Sequence, residues 1–159
     1  MMKGRAQSRP FFLTFEGVFK MSLFTQFKTN AEKEVEGVEI QYGPNEDGSI
    51  PTFIISRMGK SNKAYTKALE AATRPYRRQI ELGTMNNDTA ENLFMGVFAK
   101  TVLKGWRNVR DETGAEIQFS EKTAVKLFTD LPELYDDLQE KAKSASLFRE
   151  ESLEDEAKN

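Results

Sequence analysis

The sequence predicts a mainly helical α+β domain, an N-terminal β-hairpin followed by a core of about four helices, on three observations. Val38, Ile40 and Tyr42 alternate with Glu39 and Gln41, a turn-rich GPNEDGS follows, and Thr52–Ile55 is a second β-prone run. From residue 61 onward the apolar spacing changes from two to the three-and-four pattern of helices. Finally, 159 residues with 38% hydrophobic and 11% aromatic content suffice for one core without metal or disulfide staples.

Each element has its own justification. Residues 1–20 combine basic residues with FFLTF, a run too short and interrupted for a secretory signal, and no stretch approaches the roughly 20 apolar residues of a membrane span. They read as an N-terminal extension, and a second reading places the true start at Met21 rather than at Met1 or Met2; intact mass of protein made from the native message tests that second reading, and a product beginning at Met1 refutes it. Residues 21–36 form a polar lead-in ending in AEKEVEG, and residues 37–148 are expected to form the single globular domain. Pro51 cannot donate to a ladder and belongs at the edge or start of its strand.

Ser61 or Asn62 can cap a helix carrying Tyr65, Ala68, Leu69 and Ala72 on one face. Pro75 interrupts it, so a kink or two short helices meeting at Arg74–Pro75 is expected, with Tyr76, Ile80 and Leu82 continuing the apolar face until Gly83. The central helix is predicted from about Thr89 to Arg107. Asp88 and Glu91 form an acidic capping pattern, and Leu93, Phe94, Met95, Val97, Phe98, Val102, Leu103 and Trp106 cover most of the circumference. Asn92, Gly96, Lys100 and Lys104 leave only a narrow polar strip. Val109 and Ile117–Phe119 flank DETG as a small hairpin or loop excursion. Ser120 then caps a helix with Val125, Leu127, Phe128 and Leu131 inward. Pro132 opens the last helix, with Leu134, Leu138, Ala142 and Ala145 recurring towards Phe148, and residues 149–159 are an acidic flexible tail.

The chain has no cysteine and no histidine. That removes disulfides, imidazole bases, Ser-His and Cys-His nucleophiles and nearly all zinc sites. No acidic calcium loop and no glycine-rich phosphate cradle is present, so no catalytic residue, metal or cofactor is expected and the protein is not read as an enzyme. Asp130, Glu133, Asp136 and Asp137 could be imagined as paired acids, but nothing separates their environments and they read as solvated carboxylates.

A net charge of −2 hides strong segregation. From Arg57 to Arg78 seven basic residues face the single Glu70; from Asp130 to Asn159 ten acids face Lys141, Lys143, Arg149 and Lys158. Opposite patches on one small domain favour head-to-tail self-association or a charged partner. Lys63, Lys67, Arg74, Tyr76, Arg77 and Arg78 are the candidate partner-binding residues of the basic segment. Beside Tyr65 they resemble a nucleic-acid footprint, yet no DNA-binding motif accompanies them, and an ordinary solvated helix face is the better reading, so nucleic acid is not the expected partner. The single tryptophan, Trp106, either anchors a partner or closes the core.

Taken together, KTNAEKEVEGVEIQYG, NKAYTKAL, RPYRRQIELG, VLKGWRNV, GAEIQFS, AVKLFTDLPELYDDLQEKA and SLFREE resemble, in order and spacing, the tail assembly chaperones of long-tailed bacteriophages. The resemblance spans about residues 28–152; residues 1–20 have no counterpart in it. It implies a protein made in the infected bacterial cytoplasm that binds the tape measure protein, keeps it soluble, helps recruit major tail-tube subunits and is absent from the mature virion. It also implies a frameshifted longer form. Ala157-Lys158-Asn159 can be encoded GCA AAA AAC, a slippery run that an AAG codon at Lys158 would abolish. A structural tail or head-tail connection subunit is the alternative, and a small nucleic-acid regulator using Arg57–Arg78 a third reading.

Overall fold

The computed structural model describes residues 22–149. The expected extension 1–20, the start at Met21 and the tail beyond Arg149 lie outside the described residues. Helix α1 (Leu23–Phe27), whose first turn is capped by Ser22, belongs to a different unit from Thr29–Arg149, which carries every element described below.

That unit opens with α2 (Ala31–Glu36), where the Asn30 carboxamide oxygen accepts from the Glu32 and Lys33 N–H groups. Gly37 ends it with φ of +98° and turns the chain into β1 (Val38–Gln41), which pairs antiparallel with β2 (Thr52–Ile55). Val38 faces Ile55 and Gln41 faces Thr52. Between the strands, Asp47 accepts from the Ser49 N–H at 2.9 Å, and the Asn45 amide donates to the Asn108 carbonyl at 2.8 Å, tying this loop to the excursion after β3.

The expected hairpin followed by a helical core of about four helices is overturned here. The sheet has three strands in the order β1-β2-β3, and its third strand, β3 (Leu103–Arg107), comes from the end of the run predicted as one helix to Arg107. The central helix α5 spans only Asn87–Thr101, and its cap is Asn86 rather than Asp88. The physical reason is competition for β2, which has a second edge with backbone groups to satisfy. Thr101 and Val102 are β-branched and Gly105 is a poor helix former, so leaving the helix costs little there. Once extended, Leu103 lies opposite Ile55, Gly105 opposite Ile54 and Trp106 opposite Phe53, with a bulge between Ile54 and Ile55 absorbing the extra residue. Apolar residues that cover a helix all round read equally well as the buried turns of a helix followed by a strand.

Between β2 and α5, the carboxamide of Asn62 caps α3 (Lys63–Thr73), accepting from the Tyr65 N–H at 3.0 Å. Pro75 sits in a 3₁₀ turn, Arg74–Tyr76, from which α4 (Arg77–Leu82) continues to a left-handed Gly83. After β3, the excursion closes through an Arg110–Glu116 bridge, and Asn108 takes a positive φ of 61°. Ser120 and Thr123 form a reciprocal capping box for α6 (Glu121–Asp130), and Pro132 opens α7 (Pro132–Lys143). A last 3₁₀ turn, Ala145–Phe148, returns the chain to its start: the Asn30 N–H donates to the Phe148 carbonyl, and Thr29 bridges Arg149.

The core lies between the helices and one sheet face. Ile40, Phe53, Ile55 and Leu103 from the strands meet Met95, Phe98 and Val102, Ala124 and Phe128, and Tyr135, Leu138 and Ala142 from the three later helical segments. Phe98 is the hub of the aromatic part, edge-on to Phe128 and Tyr135 with centroids 5.8 and 5.5 Å away. The other sheet face carries Glu39 and Arg107, which form a two-pronged ion pair across the middle strand at 2.7 and 3.1 Å.

Candidate partner-binding surface

The basic segment is built from three local rules. Asn62 starts the helix, Pro75 breaks it into a 3₁₀ turn, and Gly83 stops it, its φ of +68° being a conformation that glycine adopts freely. Lys63, Lys67, Arg77 and Arg78 are exposed along this run, Tyr76 is half-buried, and Arg74 makes a solvent-facing ion pair with Glu70 at 3.3 Å. These six residues therefore share one helix-turn-helix segment. Trp106 does not join them. It stands edge-on to Phe53 and Phe119 at 5.7 and 5.1 Å, and its indole N–H donates to the Ile117 carbonyl at 2.7 Å, so it closes the sheet end of the core.

Asn62 does more than cap. Its amide group donates to the Arg57 and Thr101 carbonyls at 3.0 and 3.2 Å and to Ser56, whose buried hydroxyl itself donates to the Val102 carbonyl. One side chain thus joins the start of α3, the end of β2 and the point where α5 becomes β3. The capping signal at 61–62 was visible in the sequence; the contacts with residues 101 and 102 depend on the third strand.

Where α3 lies against α5, small side chains leave an open trough of about 430 Å³ lined by Ala68, Ala71, Ala72, Leu93, Gly96 and Val97 and edged by Asn92, Lys100 and Glu121. Lys63 and Lys67 precede Ala71 at four-residue spacing, on the same row of the helix. A Cβ built on Gly96 meets nothing within 4 Å. Phe94, expected inside, is 39% exposed on the same helix. At the segment's far end Ile80 and Leu82 are 44% and 63% exposed beside Arg77 and Arg78. The face marked Tyr76, Ile80 and Leu82 in the sequence is thus largely left open.

Of the acids expected to be solvated, Asp130, Glu133 and Asp136 are exposed, and only Asp137 differs. Asp137 accepts from the Tyr42 hydroxyl at 2.5 Å and from the Lys141 ammonium at 2.7 Å, tying α7 to the end of β1. The Lys141 bond, then the Tyr42 bond, hold its carboxyl below the usual range, while burial and the Asp137 bond push the Tyr42 hydroxyl up. Asp130 pairs with Lys126 at 3.0 Å, whereas Glu133 and Asp136 remain exposed. Among the described residues, no group of three or more ligating side chains could hold a metal, and no helix is long and apolar enough to cross a membrane.

The family model described as YdaY prophage protein matches residues 60–159, a span that takes in the basic segment, the trough, β3 and the last two helices. No curated protein and no solved structure shows a significant match. With well over half of its length matched, the chain belongs to the YdaY prophage protein family and is phage-derived.

Proposed function

We propose that the protein is a tail assembly chaperone: it binds the phage tape measure protein in the host bacterial cytoplasm, helps bring in major tail-tube subunits, and leaves before the virion is complete. The observation that carries this reading is the open trough between α3 and α5, whose floor of Ala68, Ala71, Ala72 and Gly96 has the shape to accept the ridge of a partner helix. A tape measure is a long helical rod whose apolar stripes need cover until the tube encloses them, and a shallow, small-residue trough suits such a stripe. Lys63 and Lys67 stand on the trough's row and would meet acids flanking the stripe. Phage origin and the ordered resemblance to tail assembly chaperones support the same reading. The action is binding rather than catalysis, with no cofactor.

The test is affinity capture of the tagged full chain from phage-producing cells, with mass spectrometry of the eluate beside that of purified virions. Co-purification of the tape measure protein, with this chain missing from particles, is the expected result. A stoichiometric amount of the chain in virions would instead make it a structural tail or head-tail connection subunit and overturn the proposal.

A further inference from the structure

The structure carries five ion pairs between described residues, and none involves Arg77, Arg78, Glu133, Asp136 or Glu140. Arg77 and Arg78 lie on α4, a six-residue helix whose principal packing is to the adjoining 3₁₀ turn and whose Ile80 and Leu82 stay exposed. Glu133, Asp136 and Glu140 recur at helical spacing on the solvent side of α7, where Tyr135, Leu138 and Ala142 take the inner side. Just before them Leu131 is 50% exposed. The α4 surface sets Arg77 and Arg78 against the single Glu81, and the outer face of α7 sets Glu133, Asp136 and Glu140 against Lys143 at its far end, so each keeps a net charge beside an uncovered aliphatic side chain, and the net signs are opposite. A single copy leaves this complementarity unused.

We infer that α4 of one copy docks on the outer face of α7 of the next, Arg77 and Arg78 against Glu133, Asp136 and Glu140, with Ile80 and Leu82 against Leu131. The two surfaces differ, so the contact is head-to-tail and each added copy presents a fresh α4 or α7, giving a chain of copies rather than a closed pair unless the rotation closes a ring. The inference adds to the chaperone reading a way for copies to line a long partner, and it uses surfaces other than the trough. Charges at a solvated rim are screened by salt, so assembly should be favoured at low ionic strength and weakened at high.

Sedimentation velocity of the full chain tests this. At about 0.02 M salt the wild type should sediment as species larger than a monomer and at about 0.5 M should return towards monomer. The double variant Arg77→Glu, Arg78→Glu and the triple variant Glu133→Lys, Asp136→Lys, Glu140→Lys should each be monomeric alone, with unchanged circular dichroism because all five positions are on the surface. Mixed in equal amounts they should assemble again, since each reversed surface finds its complement on the other. A monomeric wild type at low salt, association that survives both reversals, or a mixture that stays monomeric would each overturn the inference. A wild type that is monomeric at low salt yet captures the tape measure would count against this contact alone; a wild type that associates at low salt but captures no tape measure would count against the chaperone reading alone.

Discussion

Gly37 leaves α2 with φ of +98°, and a Cβ at that position would stand 2.8 Å from the Ile55 carbonyl oxygen, inside any normal contact. Conformation and space demand glycine together, so Gly37→Ala should lower stability by roughly 1–3 kcal/mol; a urea midpoint equal to wild type would refute this. Asp137 shows a different kind of residue-level dependence. Its folded pKa is depressed by Lys141 and Tyr42, so the carboxylate's stabilising contribution is fully present above the unfolded carboxyl value, near pH 4, and fades as the pH falls through the lower folded value. With Asp137 and Lys141 both more than one-third exposed, the effect is modest. Asp137→Asn should therefore destabilise at neutral pH and shallow the acid-side loss of stability below about pH 4; urea midpoints across that range check it, and an unchanged acid slope would contradict the assignment.

At the scale of elements, chain order and capping were legible where the signals are local. Asn62, Pro75, Gly83, Ser120 and Pro132 each act through their own neighbours, and each stands where its chemistry pointed. The helix-to-strand switch at Thr101–Leu103 was not legible, because it is decided by β2, some fifty residues away, and the local signals of Thr101, Val102 and Gly105 are too weak to end a helix by themselves. For the same reason Tyr42–Asp137 and Trp106–Ile117 could not be read from spacing, while the six basic-segment residues, all within residues 63–78, fell together. Phe148 extends the lesson. It marked the end of the predicted last helix, yet α7 stops at Lys143 and a 3₁₀ turn carries the ring into a fully buried position with the Arg57 guanidinium over its face at 5.8 Å. Phe148→Ala should cost about 3–5 kcal/mol in urea denaturation, far more than a fraying terminus would; a loss under about 1 kcal/mol would show the turn is dispensable.

For the whole molecule, the trough can be tested apart from stability because it holds a helical glycine with open space above it. Gly96→Ala should stabilise α5 by up to about 1 kcal/mol and leave tape measure capture intact. Gly96→Phe should fill the trough and abolish capture while thermal unfolding and low-salt association persist. If Gly96→Phe captures the tape measure as well as wild type, the trough is not the binding surface. Together with charge reversal on α4, this separates cover of the partner from contact between copies.

The Thr29–Arg149 bridge has a consequence for chain connectivity. The compact unit begins and ends on adjacent backbone segments, with the Asn30 N–H already bonded to the Phe148 carbonyl, so a short connection can join its two ends without disturbing either. Joining the two ends with a short flexible linker and reopening the chain in the exposed loop at Gly43–Pro44 would reorder the sequence while keeping every strand pairing. Such a circular permutant should fold and would place a tag or fused partner on the β1-β2 loop instead of beside α2, a handle for positioning probes on an assembled array.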